Sequence, residues 1–237
     1  MAATALLQRL TWLPAVIADA RTETPQARTL VLDVPGWPGH RAGQHVDVRL
    51  TAGDGYQAVR SYSLASAPGE EPAVTVARVP DGEVSPYLVD VARPGDQVEI
   101  RGPVGGYFVW EPAAPYRSVL LVGGGSGVVP LRSILRHHRR TADPTPMRLV
   151  YSVRAPELVI YREELQAEHL VYTRTTPPGW PRPAGHLDQA LLREVAWPPA
   201  DSPLAYVCGP TAFVEHLSGA LLDLGYRADD IRTERYG

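Results

Sequence analysis

A strand that runs through a glycine loop straight into a helix leaves a chain few folds to adopt. Ser118–Arg140, SVLLVGGGSGVVPLRSILRHHRR, has that form. Val119 to Val122 is an unbroken apolar run, as in a buried strand. Gly123-Gly124-Gly125-Ser126-Gly127 follows, then a helix over 128–140 with Leu131, Ile134 and Leu135 on one face. Arg136, His137, His138, Arg139 and Arg140 close the helix, where cations suit the negative end of its dipole. Such a turn offers free backbone N–H groups and a positive helix N-terminus to a phosphate. The glycines do not complete GxGxxG, because the run from Gly125 ends in Pro130. Ser126 is not a nucleophile elbow either, since Val128 stands where GxSxG needs glycine.

The two sides of this loop have different patterns. From Trp12 to Trp110 the sequence shows short strand-like runs: 16–18, 29–32, 45–50, 58–64, 73–79 and 97–101. Polar residues 21–28 separate the first two, and Ala52-Gly53-Asp54-Gly55 suits a hairpin. One short helix is expected over 86–91. Strands at this spacing predict a small, nearly closed antiparallel barrel. Glu111 to Pro115 is the linker candidate. Beyond it strands alternate with helices: strands 118–122, 147–153, 169–173 and 204–208, and helices 128–140, 159–168, 186–195 and 211–224. That alternation predicts a parallel sheet. The expected organisation is an N-terminal antiparallel β-barrel over 1–112 and a C-terminal α/β domain with a parallel sheet over 113–237.

Composition removes several chemistries. All 23 basic residues are arginine, so no lysine is present to form a Schiff base. One cysteine, Cys208, cannot form a disulfide within these 237 residues, nor ligate an iron–sulfur cluster or structural zinc on its own. A net charge of −3 argues against a nucleic-acid partner. His137-His138 suits a solvated helix end better than a metal site. Residues 1–20 are mildly apolar but broken by Arg9 and Asp19, which leaves no membrane span and no secretory signal. A cytoplasmic chain without a membrane partner is expected.

Three further segments bear chemistry. Arg60-Ser61-Tyr62-Ser63-Leu64-Ala65-Ser66 puts Arg60 and Tyr62 on one strand face, and arginine can grip a phosphate bidentately. Gly102-Pro103-Val104-Gly105-Gly106-Tyr107-Phe108 is a tight turn at the barrel's end. Tyr206-Val207-Cys208-Gly209-Pro210-Thr211 ends a parallel strand, the edge where α/β sheets bind ligands.

In this order the segments resemble the ferredoxin–NADP reductase superfamily of flavoproteins. RSYSLAS is similar to its RxYSxxS flavin signature, and Asp81-Gly82-Glu83-Val84-Ser85 to its second flavin-phosphate segment. GPVGGYF resembles its GPxGxF turn, GGGSGVVP its nicotinamide pyrophosphate loop, and CGPTAFVE its CGP segment. The resemblance implies that the barrel is flavin-binding and the α/β domain nicotinamide-binding, with FAD and NADPH or NADH as cofactors. Arg60 and Ser85 would bind the FAD pyrophosphate. Tyr62 would pack on the isoalloxazine, and Ser63 would hydrogen-bond near flavin N5. Gly124, Gly125, Ser126 and Gly127 would cradle the NAD(P)H pyrophosphate. Cys208, with Gly209 and Pro210, would sit beside the nicotinamide. Glu234-Arg235-Tyr236 resembles the terminal Glu-x-Tyr of plant-type members, in which the glutamate assists and the tyrosine covers the flavin. Gly237, after the tyrosine, departs from that pattern. Thr173 and Arg174, helped by Arg154, occupy the place of a 2′-phosphate site, and no acidic residue ends strand 147–153. Both features favour NADPH.

The implied activity is an FAD-dependent NAD(P)H:acceptor oxidoreductase. Ser63, Cys208 and Glu234 would be its catalytic residues, and a separate ferredoxin or oxygenase component its acceptor. The alternatives are a reductase of free flavin or another small molecule, and a non-catalytic electron-transfer subunit.

Overall fold

Strand pairing builds the N-terminal half. In this computed structural model, which describes residues 10–113, 116–165 and 168–236, six strands form one antiparallel sheet. They are β1 (Trp12–Thr24), β2 (Ala27–Asp33), β3 (His45–Thr51), β4 (Gln57–Ser63), β5 (Ala73–Ala77) and β6 (Gln97–Val104), in the order β4-β3-β6-β1-β2-β5. A bridge between Leu64 and Val74 brings the two outer strands together, so the sheet curls into an almost closed barrel. Ile17, Leu30, Leu32, Val46, Val48 and Ile100 fill it. The expected short helix is one π-helical turn, Tyr87–Val91, which buries Leu88 against the barrel core. Polar residues 21–28 prove to be strand and turn rather than a separator. The β1–β2 ladder runs from Val16↔Asp33 to Thr24↔Ala27, because backbone pairing continues past exposed Arg21 and Thr22 to buried Thr24 and Ala27.

The C-terminal half is a parallel sheet of β7 (Val119–Gly124), β8 (Met147–Val153), β9 (His169–Tyr172), β10 (Leu204–Pro210) and β11 (Ile231–Tyr236), in the order β11-β10-β7-β8-β9. Its helices are α1 (Val128–Thr141), α2 (Gln189–Val195) and α3 (Thr211–Asp223). Val119 and Leu121 pack into a core with Leu131 and Ile134 of α1, whereas Leu120 and Val122 face Leu192 of α2 and Val214 and Leu217 of α3. Both faces of β7 are therefore covered, which is why its sequence is a continuous apolar run. Among the described residues no helix is long and apolar enough to cross a membrane.

Three elements differ from expectation. The helix over 159–168 does not form. Pro156–Leu158 is a 3-10 turn, and Tyr161 takes a left-handed φ of 58°, which an α-helix cannot contain; 166–167 lie outside the described residues. Helix α2 starts three residues later than expected, because the Asp188 carboxylate accepts the Leu191 N–H at 2.8 Å and caps it there. β11 was not anticipated as a strand. IRTERY has no apolar run, and as an edge strand it needs none. In the linker candidate, 114–115 also lie outside the described residues, as do 1–9.

The junction between the halves is packed and charged. Arg132, Arg136 and Arg140 recur every four residues on α1 and so share one face. Arg132 donates to Ala65 O at 2.8 Å, while Arg136 and Arg140 reach the Glu70 carboxylate at 2.7 and 3.2 Å. Between them the Ser133 hydroxyl donates to Ser66 O at 2.6 Å. The helix end expected only to answer its own dipole thus also holds the barrel. His137 and His138 are half-buried rather than freely solvated: both rings meet Trp110 edge-on, with centroids 5.7 and 5.5 Å away. The GPVGGYF turn is a docking plug. Phe108 packs edge-on against Tyr206 at 5.1 Å, and Tyr107 donates to Ile231 O at 3.0 Å.

Candidate functional site

In strand order the parallel sheet reverses direction at β7, which has β8 on one side and β10 on the other. At such a switch point the loops leave to opposite faces and open a crevice beyond the strand ends. The glycine turn and the Cys208-Gly209-Pro210 segment both lie there. Gly123 and Gly124 still belong to β7, and Gly125–Gly127 form a 3-10 turn into α1. Backbones approach closely at this point. A Cβ on Gly124 or Gly209 would lie 2.9 or 2.6 Å from the Phe213 ring, and one on Gly127 would lie 2.2 Å from Cys208 O.

Across the crevice stands β4. Together they bound a cleft of about 1260 Å³, above the usual range for a single small ligand. From the barrel, Arg60, Tyr62, Ser63 and Ser85 line it. From the switch point come Gly124, Gly125, Ser126, Cys208 and Pro210, joined by Tyr236 from β11. Arg154 and Thr173 border the far end. The structure therefore gathers into one space residues that lie up to 176 positions apart. Four expected site residues stand outside the lining. Gly127 and Gly209 support the turn from behind, Arg174 is exposed beside Arg154, and Glu234 pairs in register with Cys208. Phe213 and His216 of α3, along with Glu83, also line the cleft and were not singled out as binding residues. The periodicity of α3 carries no sign of this, because the exposure comes from the crevice and not from the helix.

The charges in the cleft are specific. Arg60 pairs with the Glu83 carboxylate at 2.8 Å and also donates to Val59 O. Ser85 accepts the Val79 N–H at 3.0 Å, which leaves its own proton to donate. Burial pushes the Tyr62 phenol up to about 12, so it stays neutral. Burial, then the nearby Glu234, raises the Cys208 thiol, so it remains protonated and unreactive as a nucleophile. Tyr236 is no frayed tail. Its hydroxyl donates to Gly124 O at 2.6 Å and accepts the Gly127 N–H at 3.3 Å, pinning the turn.

Loss of solvent raises Glu234 to about 7, from an ordinary 4.5. Between those values the folded chain binds a proton that the unfolded chain has released. The associated stability is full below about 4.5 and is lost as pH climbs through about 7. Glu234→Gln should therefore flatten the fall in thermal midpoint between pH 5 and pH 7. An unchanged slope in that variant would show that the carboxyl is already ionised.

Known proteins are similar to this chain in sequence and fold. Residues 15–109 match the model of the oxidoreductase FAD-binding domain, and residues 121–218 that of the oxidoreductase NAD-binding domain. A glycine betaine monooxygenase reductase subunit of Chromohalobacter salexigens is 31% identical, the match covering 91% of this chain and 61% of that protein. Ferredoxin–NADP reductase B of Sorangium cellulosum is 34% identical over 82% of this chain and 84% of its own length. The flavohem-like FAD/NAD-binding domain of a Vibrio cholerae nitric oxide dioxygenase superposes with a TM-score of 0.83 at 23% identity, covering 95% and 98% of the two chains. The chain thus spans about three fifths of the betaine relative and most of the other two.

Proposed function

We propose a function from this premise: the chain belongs to the ferredoxin–NADP reductase superfamily, whose members join an FAD-binding to an NAD-binding domain. It acts as an FAD-dependent NADPH:acceptor oxidoreductase that passes electrons to a separate ferredoxin or oxygenase component. The observation that carries this reading is the single cleft bounded by both sheets, with a phosphate-type arginine on one wall and a glycine-cradled helix N-terminus on the other. The lining fits dinucleotide cofactors: the volume exceeds the usual range for one small ligand, and Gly124 and Gly125 bring backbone without side chains to the cleft.

Bound FAD would accept two electrons as hydride from NADPH and release them to the acceptor. The chain's own residues supply position and exclusion. Arg60 and the Ser85 hydroxyl would hold the flavin diphosphate. The neutral Tyr62 ring would cover a flavin face, and Ser63 would offer a hydroxyl beside it. Gly124 to Gly127 would hold the second diphosphate at the start of α1. Cys208, kept as a thiol, would form an uncharged wall where the two rings meet. Glu234 would hold a proton just behind it, near neutral pH.

The purified protein should take up FAD, turn yellow, and bleach anaerobically on adding NADPH. A chain that takes up no flavin would remove this reading. The acceptor is then found by turnover against a panel of ferredoxins and oxygenase components, with free flavin included. Reduction of free flavin alone would favour a small-molecule reductase.

The preference for NADPH rests on Arg154 and Thr173 at the cleft's far end. Arg154→Ala should weaken NADPH binding by about 10-fold, the worth of one charge-assisted hydrogen bond. NADH binding should change by less than about 2-fold, since an exposed arginine away from a phosphate contributes little. Arg174→Ala, one position further out, should have the smaller effect. Equal losses for both nicotinamides would remove the preference.

A further inference from the structure

We infer that the Glu83 carboxylate is an internal stand-in for the FAD diphosphate, holding Arg60 until the cofactor displaces it and thereby setting how tightly FAD is kept. The inference rests on the flavin reading of the cleft. Three observations carry it.

First, Arg60 is already engaged. Its guanidinium meets Glu83 at 2.8 Å, and the other carboxylate oxygen accepts the Tyr56 hydroxyl at 2.7 Å. Tyr56 thereby fixes the carboxylate in the orientation that serves Arg60. A carboxylate and a phosphate present the same acceptor geometry to a guanidinium, so the two compete for one fork.

Second, Glu83 stands on a boundary. It lines the large cleft and also a separate hollow of about 280 Å³ formed by Leu50, Ala52, Tyr56, Ala58 and Tyr87. A dinucleotide that starts beside Tyr62 and continues past Arg60 toward this hollow must cross Glu83. The hollow's Tyr56 and Tyr87 rings and aliphatic Leu50 and Ala58, with polar Thr51 and Gln97 beside them, suit a flat base.

Third, the local charge opposes a diphosphate. Asp81 and Glu83 both face the cleft on the same segment. The other arginine there, Arg78, is committed to Asp90 at 2.7 Å. Phosphate binding therefore requires breaking one ion pair and tolerating two nearby carboxylates. The pair is half exposed, so breaking it costs only the modest energy of a surface bridge. Glu83 weakens FAD binding without abolishing it.

The test is flavin titration of the full chain, stripped of flavin, read by quenching of flavin fluorescence. Glu83→Gln should tighten FAD about 2- to 5-fold, the scale of an exposed ion pair. Riboflavin, which lacks the phosphates, should bind wild type and variant alike. Glu83→Ala should repeat the gain, and in an Arg60→Ala background the gain should shrink, because no arginine is released. An unchanged or weaker FAD affinity in both Glu83 variants would overturn the inference while leaving the flavin site standing. So would an equal gain for riboflavin, which would mark a packing effect. A wild-type chain that binds no flavin at all would overturn the flavin reading itself and this inference with it.

Discussion

Gly127→Ala should leave flavin uptake intact and cut NADPH affinity by at least about 100-fold. Gly127 has φ −62° and ψ −10°, a helical conformation that alanine adopts freely. Its cost is therefore contact and nothing else. The added Cβ would lie 2.2 Å from Cys208 O, 2.5 Å from Cys208 C and 2.8 Å from Gly209 N. All three are backbone atoms of β10, which is paired on one side to β7 and on the other to β11. The strand cannot yield, so the turn must lift away from it. A shift of that size misplaces the N–H groups at the head of α1, and losing two charge-assisted hydrogen bonds to a diphosphate, at about 1.5 kcal/mol each, costs about 100-fold in affinity. Overpacking should also lower stability by about 1–3 kcal/mol. Arg60, Tyr62 and Ser63 are on the other sheet and should be unaffected. Gly53→Ala is the matched control, since nothing lies within 4 Å of a Cβ there. Stopped-flow reduction across NADPH concentrations, with thermal midpoints for both variants, checks the expectation. Undiminished affinity in Gly127→Ala would mean that the turn does not hold the nicotinamide.

The contrast between Gly127 and Tyr161 explains what the sequence discloses. The glycine turn is legible because its chemistry is local: strand, turn and helix occupy adjacent residues, and each leaves its own pattern. Arg60 to Ser63 and Cys208 to Pro210 are legible for the same reason, as short segments with a fixed order. The barrel is legible from turn spacing, although β1 runs further than its apolar residues suggest. Long-range commitments are not legible. Nothing in the spacing of Arg132, Arg136 and Arg140 says that they face Ala65 and Glu70 and not water. Gly43 gives no warning either, yet it has φ +96° and a Cβ there would lie 2.0 Å from Phe108 O. Glu83 is legible only as part of a motif, because its pairing with Arg60 spans 23 residues. β11 was hidden because an edge strand at the surface has no apolar face to betray it.

Tyr161→Ala should lower stability by about 3–5 kcal/mol and slow hydride transfer more than it weakens either cofactor. Tyr161 is a point where the α/β half meets the barrel, through Thr75 of β5. Its ring is buried, and the Arg132 guanidinium lies over it at 4.5 Å from the centroid. Its hydroxyl bonds the Thr75 hydroxyl, which bonds Thr29 at 2.7 Å. Thr29 in turn donates to Glu23 at 2.6 Å, and the other Glu23 oxygen accepts the Tyr161 N–H at 3.2 Å. The four groups close a ring of hydrogen bonds linking β1, β2 and β5 to the turn after β8. Alanine would remove the aromatic ring and its cation–π contact with Arg132 and leave a cavity, the costliest kind of core truncation. It would also leave Thr75 without one of its bonds. The left-handed φ of 58° gives no relief, since alanine is strained there too. Tyr161→Phe keeps the volume and should cost about 1–2 kcal/mol, a lost buried hydrogen bond. On the proposed assignment each cofactor is held mostly by a different half, so their affinities should fall less than about 3-fold, the usual size of an indirect effect. What depends on the joint is the register of the two rings. The rate of flavin reduction at saturating NADPH should therefore drop by about 10- to 100-fold in Tyr161→Ala, with Tyr161→Phe between it and wild type. A variant that loses stability but reduces its flavin at the wild-type rate would show that Tyr161 holds the fold together without setting the distance over which the hydride moves.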